Sequence, residues 1–269
     1  MLLTIDIGNS NITLGVWHED GWLAHWRLQT VRERTSDEYA VILQALFAQS
    51  GLRFADLEGA ALGSVVPTLT GVFEEVCQQA LGRRPLVVAP GVRTGIRIRV
   101  DNPAEVGADR VINTVAAHRL YGGPAIVVDF GTATTFDVVS AEGDYLGGAI
   151  APGLGIAHDA LVQRAARLYR VDLLPPPSAI GRNTVTAMQS GLVLGYIGLI
   201  EGLVARIRRE LEGLSSTPTS TSRGEGRTQV KVIATGGLAE VIARQTPVIE
   251  IIAPWLTLDG LRLIYELNR

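Results

Sequence analysis

The sequence predicts an α/β fold built from two similar halves, each with a mixed sheet. Two observations carry that expectation: a strand–turn–strand signature that occurs twice, and an order in which short β-branched runs alternate with amphipathic helical stretches. Leu3-Thr4-Ile5-Asp6-Ile7-Gly8-Asn9-Ser10-Asn11-Ile12-Thr13-Leu14 resembles Ile126-Val127-Val128-Asp129-Phe130-Gly131-Thr132-Ala133-Thr134-Thr135-Phe136-Asp137 at a constant offset of 123 residues. Similarity at a fixed offset marks a repeated structural unit.

Each copy opens with an apolar strand, turns at Asp-x-Gly, resumes as a strand and reaches a polar hairpin signal. Those signals are His18-Glu19-Asp20-Gly21 and Ala141-Glu142-Gly143-Asp144, so each half begins as an antiparallel meander. Helical periodicity follows. Thr35-Ser36-Asp37-Glu38 reads as a capping box before Tyr39 to Gln49, and Gly155 to Tyr169 carries apolar residues at helical spacing. Further strands are expected over 60–66, 85–89, 230–235 and 248–252, separated by helices. The expected domains are residues 1–118 and 119–269.

At 269 residues and 47% apolar, the chain can build real cores. The net charge of −3 offers no broad basic surface, so nucleic acid is not an expected partner. The N-terminus has no cationic leader, and no uncharged run approaches the roughly 20 residues of a membrane span; the expectation is a cytoplasmic protein without a membrane. Cys77 stands alone, among apolar neighbours, and reads as a core thiol. The polar stretch 213–229 lacks side chains to bury and is expected to be a mobile surface loop.

An Asp-x-Gly turn between strands converges main-chain N–H groups while glycine leaves room for a phosphate. Asp6 becomes useful there if Mg²⁺ stands between the two anions. One such turn is equally a hairpin with an exposed aspartate. Two copies can face each other across a cleft, one on the terminal phosphates and the other, Gly131 to Thr134, closing over them. Val232-Ile233-Ala234-Thr235-Gly236-Gly237-Leu238-Ala239 reads as strand, glycine turn and helix, where adenosine could lie against the backbone or strand and helix could simply pack closely. Asp109 stands where a loop marked by Pro103 and Gly107 meets an amphipathic helix. It is either a general base or an N-cap.

Five motifs resemble, in order and spacing, the type III pantothenate kinase family: Asp6-Ile7-Gly8-Asn9-Ser10, Gly107-Ala108-Asp109-Arg110, Asp129-Phe130-Gly131-Thr132-Ala133, Gly147-Gly148-Ala149-Ile150-Ala151-Pro152-Gly153 and Gly181-Arg182-Asn183-Thr184. The resemblance implies two ribonuclease H-like, actin-like ATPase domains flanking a nucleotide cleft, as in acetate and sugar kinases, heat-shock cognate and actin. It also implies a homodimer that phosphorylates pantothenate with ATP and Mg²⁺ to 4′-phosphopantothenate, the first step of coenzyme A synthesis. By position, Asp6, Ile7, Gly8, Asn9, Ser10, Asn11, Ile12 and Thr13 would form the ATP phosphate loop, with Thr132 a further ATP contact. Asp109 would be the proton acceptor. Gly107, Ala108, Asp109, Arg110 and Thr184 would border pantothenate, and Asp129 would hold a monovalent cation, K⁺ or NH₄⁺. Val100 replaces a tyrosine common in the family, removing one hydroxyl contact to substrate.

His18, His25, His118 and His158 have no metal-ligand spacing, which argues against zinc. Trp22 and Trp26, at alternating strand positions, are expected on one face. Two other functions compete with the kinase: a catalytically silent homologue acting as a regulatory accessory factor, and an actin-like nucleotide-dependent assembly protein. The Gly107 to Arg110 element favours the kinase, since an assembly protein needs no general base.

Overall fold

The computed structural model describes residues 1–19, 21–215 and 229–269. In chain order the elements are β1 (Leu2–Ile7), β2 (Asn11–His18), β3 (Gly21–Gln29), α1 (Ser36–Gln49), β4 (Gly59–Ser64), α2 (Pro67–Leu81), β5 (Leu86–Val87) and α3 (Ala108–Tyr121). They continue with β6 (Ala125–Phe130), β7 (Ala133–Val139), β8 (Tyr145–Pro152), α4 (Leu154–Arg164), α5 (Thr184–Gln189), α6 (Gly195–Ser215), β9 (Lys231–Gly236), α7 (Ala239–Ala243), β10 (Ile251–Ile252) and α8 (Leu256–Leu267).

Two compact units result. Unit 1 comprises Met1–Tyr121, Gly143–Tyr145 and Trp255–Arg269; unit 2 comprises Gly122–Glu142 and Leu146–Pro254. The expected division after residue 118 lies beside the break at Tyr121, whereas the last helix returns to unit 1. Among the described residues each unit is built on a five-stranded sheet, ordered β3-β2-β1-β4-β5 in one and, read in the same sense, β8-β7-β6-β9-β10 in the other. β1 runs antiparallel to β2 and parallel to β4; β6 runs antiparallel to β7 and parallel to β9. The predicted repeat is therefore a repeat of topology, and both sheets are mixed.

Strand alternation sorts the side chains of unit 1. Leu3, Ile5 and Ile7 of β1 join Tyr39, Leu43, Phe47, Leu69 and Phe73 of α1 and α2 in one core. On the opposite face Ala61 meets Ile112 and Val115 of α3 and Leu258, Leu261 and Ile264 of α8. Helix α1 starts as predicted: Thr35 Oγ1 accepts from the Glu38 N–H, and Glu38 Oε2 accepts from the Thr35 N–H at 2.8 Å. Cys77 is a core residue, and burial pushes its thiol up to about 12.

Several local expectations change. The strands expected over 85–89 and 248–252 shrink to two residues each. The helix expected to reach residue 169 stops at Arg164, because Ala165 turns to extended backbone. Trp22 and Trp26 do not share a face: a register shift between Val16 and Trp17 breaks the alternation. Trp26 stacks on Phe47 in the α1–α2 core, whereas Trp22 packs beside His25 and donates from Nε1 to Asp259 of α8.

The run Thr184–Gly213 is one helix long and apolar enough, by length and composition alone, to cross a membrane, contrary to the expectation that no stretch comes near. Its side chains Met188, Leu192, Tyr196, Ile200 and Val204 pack into the core of unit 2 against Ile126, Val128 and Phe130. This is how the central helix of a globular unit behaves. Most of the polar stretch 213–229 lies outside the described residues.

Candidate functional site

In unit 1 the register sets Asp6 beside Gly63 and Ile7 beside Ser64, at the carboxyl ends of the parallel pair β1–β4. Open α/β sheets bind ligands at such ends. Because Ile5 and Ile7 point to the α1–α2 core, Asp6 projects from the other face, where α3 packs. Gly63 makes that packing close: a Cβ there would lie 2.6 Å from Ile112 Cδ1.

The turn after Asp6 is closed by Gly8 N–H donating to Asn11 O at 2.9 Å. Two residues that sequence reasoning missed hold it from outside. Thr30 donates from Oγ1 to Gly8 O at 2.7 Å and from its N–H to Ser10 O at 3.0 Å; Arg32 donates to Asn9 Oδ1 at 3.0 Å. Asn9, Ser10 and Asn11 are exposed, as a loop meant to meet a ligand must be.

Asp109 is not the N-cap of α3. It lies in the first turn of that helix, and Gly107 O accepts from the Arg110 and Val111 N–H groups. The Asp109 side chain folds back, so that Oδ1 accepts from the Arg110 N–H at 2.9 Å. A Cβ on Gly107 would stand 2.5 Å from that same Oδ1 and 3.7 Å from Val65 Cγ1. Glycine thus leaves the half-buried carboxyl a berth next to the loop leaving β4. Burial raises its pKa, outweighing the Arg110 N–H and the Arg110 charge, which pull it down. A carboxylate tuned upward is a stronger base than an exposed one. Arg110 lies over the Tyr145 ring, 5.4 Å from its centroid.

Unit 2 repeats the turn with a difference. Gly131 N–H donates to Ala133 O at 3.1 Å, and Phe130 pairs with Thr134, whereas Ile7 pairs with Ile12. The second turn is therefore one residue shorter, and the offset of 123 does not survive it. Asp129 Oδ1 occupies the space that a Cβ on Gly236 would fill, 2.4 Å away. Gly236, with φ of 88°, makes room for that carboxylate and for strand β6. Thr132 is exposed on the turn. Thr184 opens α5, capped by Asn183, whose Oδ1 accepts from the Thr186 N–H at 2.9 Å. Unit 1 thus gathers Asp6 to Thr13 with Gly107 to Arg110 at one sheet edge, while Asp129, Thr132 and Thr184 belong to unit 2.

The sequence profile described as type III pantothenate kinase matches residues 2–206. The chain belongs to the type III pantothenate kinase family. A type III pantothenate kinase of Roseiflexus sp. strain RS-1 is 53% identical over 269 residues, and one of Moorella thermoacetica is 51% identical over 268, each match covering all of both chains. Among solved structures, a Campylobacter jejuni chain assigned to the Baf family of transcriptional activators superposes with a TM-score of 0.61 at 19% identity, over 99% of this chain and 98% of that one. A Sinorhizobium meliloti chain assigned as a 2-dehydro-3-deoxygalactonokinase gives 0.50 at 12% identity, over 99% and 96%. At such identities both speak for the fold alone, which is that of the actin-like ATPases and sugar kinases. The curated pantothenate kinases give no support to a silent regulatory homologue or an assembly protein.

Proposed function

We propose that this chain carries out the reaction of its family, ATP-dependent phosphorylation of pantothenate to 4′-phosphopantothenate at the entry to coenzyme A synthesis, with Asp109 as general base. The observation that carries the assignment of roles is the shared sheet edge in unit 1: the Asp6 turn and the Asp109 carboxyl both lie at the carboxyl ends of β1 and β4.

The amides of Asn9 to Asn11 cradle the ATP phosphates, and the side chains of Asn9, Ser10, Asn11 and Thr13 add hydrogen-bonding groups. Among the described residues no three His, Cys, Asp or Glu side chains gather as a metal-binding group. The fit is to Mg²⁺ in its usual manner, held by phosphate oxygens and one or two carboxylates, here Asp6. When bound it neutralises charge on the transferring phosphoryl group. Asp109 accepts the proton of the pantothenate primary hydroxyl as that oxygen attacks the γ-phosphorus and the bond from phosphorus to the β,γ-bridging oxygen breaks to release ADP; Gly107, Ala108 and Arg110 border the acceptor. By family position Thr132 is assigned an ATP contact and Thr184 a pantothenate contact.

Asp129 is assigned the monovalent cation, K⁺ or NH₄⁺. Its carboxylate beside two positions without side chains, Gly131 and Gly236, is a hard oxygen donor of the kind such ions prefer. A homodimer is supported by a run of exposed apolar side chains in unit 2: Ile150, Ile156, Leu161, Tyr169, Leu174 and Ile180. Such side chains, all within residues 150–180, are available for a partner subunit to cover. The cytoplasm is the compartment that suits a kinase of this pathway.

A coupled ADP-release assay tests the function. ADP release should require pantothenate and rise when potassium replaces sodium. Strong ATP turnover indifferent to pantothenate, with filaments visible by light scattering, would transfer the assignment to the assembly protein.

A further inference from the structure

Thr134 and Tyr196 form a hydrogen-bonded hydroxyl pair, Oγ1 to Oη 2.5 Å, inside the core of unit 2. Thr134 is fully buried and Tyr196 is 6% exposed. The pairing register makes Thr134 the counterpart of Ile12, since each follows the turn and faces the last residue of the preceding strand. Unit 1 thus fills this place with a hydrocarbon, and unit 2 with a hydroxyl that needs a partner. A buried polar pair is no better for stability than an apolar pair of the same shape, but it fixes geometry, because either group left alone is penalised.

The helix is adapted to supply that partner. A π-helical turn, Ser190–Leu194, interrupts the run between α5 and α6 directly before Tyr196. One extra residue rotates everything after it by about 100° around the axis, and π turns of this kind recur at functional sites. It brings Tyr196 onto the same buried face as Met188 and Leu192.

We infer that Tyr196 is a positioning residue of the kinase: through Thr134 it pins the Gly131–Ala133 turn from the core side and so sets the nucleotide contact of that turn. Asp129 lies on the opposite face, since Phe130 and Val128 point into the α6 core; burial raises the pKa of the Tyr196 hydroxyl against the lowering pull of the Thr134 bond, and the Asp129 charge adds a lesser push upward. This inference rests on the reading of the second turn as an ATP contact.

The test compares Tyr196→Phe, Thr134→Val and the double variant with wild type. Two readouts are needed: KM for ATP and for pantothenate, and the rise in thermal midpoint on adding ATP–Mg without pantothenate, which reports binding alone. Tyr196→Phe should raise KM for ATP about fivefold, the weight of one ordinary hydrogen bond, shrink the ATP-induced rise, and leave KM for pantothenate within about twofold. The double variant should recover the midpoint of the free protein but not the ATP affinity. A lowered midpoint with both KM values unchanged in Tyr196→Phe, or recovery of ATP affinity along with the midpoint in the double variant, reduces the pair to packing and overturns the inference. Asp129→Ala, measured alongside, separates the two levels. If it leaves the ATP and potassium responses untouched, the reading of the second turn has failed and the inference falls with it; if it alters them while Tyr196→Phe does not, only the positioning role has failed.

Discussion

The two turns after β1 and β6 differ by a single residue, yet they are held in opposite ways. The first spans Gly8 to Asn11 and is braced from outside by Thr30 and Arg32. The second spans Gly131 to Ala133 and is braced from within by Tyr196 through Thr134. An outer brace leaves the core beneath the turn apolar, as Ile12 shows; the second turn has its hydroxyl brace in the core and Gly153 packed on its backbone, where a Cβ would lie 2.3 Å from Thr132 O. Duplicated topology therefore does not imply duplicated chemistry. Unit 1 also carries Asp109, and its turn is longer by one residue that a ligand could meet.

The largest effect that would test this division of labour is expected at Asp109. Asp109→Asn keeps the size and an oxygen to accept from the Arg110 N–H, but not the proton acceptor. Its kcat should fall about 10² to 10⁴ fold. The thermal midpoint should behave in the opposite sense. Burial raises the folded-state pKa, so the folded form binds the proton more tightly than the unfolded chain does, and stability falls as pH rises from the ordinary carboxylate value through the raised one. Asparagine has no charge to bury. The variant should therefore gain in midpoint over wild type at pH 7, with the difference fading below about pH 4, where both side chains are neutral. A normal kcat in the folded variant would remove Asp109 as the base, whatever the midpoint does.

Next in size comes Gly107→Ala. Its Cβ would meet Asp109 Oδ1, the free end of a side chain, which moves at little cost to stability. Displacing a reacting group by about 1 Å can cost as much as 10² fold, so kcat should drop roughly ten- to a hundredfold with the midpoint within a few degrees of wild type. Unaltered kcat would mean that the berth over Gly107 is not where the carboxyl works.

The smallest effect concerns the outer brace itself. Thr30→Val removes the Oγ1 bond to Gly8 and keeps the main-chain bond to Ser10. About one hydrogen bond is lost, and KM for ATP should rise about fivefold while KM for pantothenate holds. Equal rises in both would show that Thr30 supports the whole sheet edge and not the turn alone.

How much of this could be read beforehand depends on the range of the signal. The meanders, the Asp-x-Gly turns and the Thr35 capping box are local patterns, and all appear in the structure. The length of the second turn is not local: Thr134 and Asn11 are both polar, so an ungapped offset runs through the turn unnoticed until pairing registers are known. The same holds for the tryptophans, because no residue announces the register shift at Val16 that sends Trp22 and Trp26 to different faces. Asp109 was readable as a residue at a helix start, but Gly107 and Asp109 are both acceptable caps, and only backbone geometry shows which one serves. Thr30 left a trace, since it follows a strand predicted to pair beside the turn. Tyr196 left none, because its orientation depends on a π turn whose residues look like ordinary helix.

The return of Trp255–Arg269 to unit 1 has a consequence for how the protein comes to exist. Leu258, Leu261 and Ile264 complete the core that Ala61, Ile112 and Val115 begin, and Gly260 brings α8 so near α3 that a Cβ would lie 2.3 Å from Ile112 O. On the ribosome this helix is synthesised after every residue of unit 2. The nascent unit 1 must wait with one face of its sheet covered by α3 alone, while unit 2, whose sequence is uninterrupted apart from the short Gly143–Tyr145 excursion, is free to fold first.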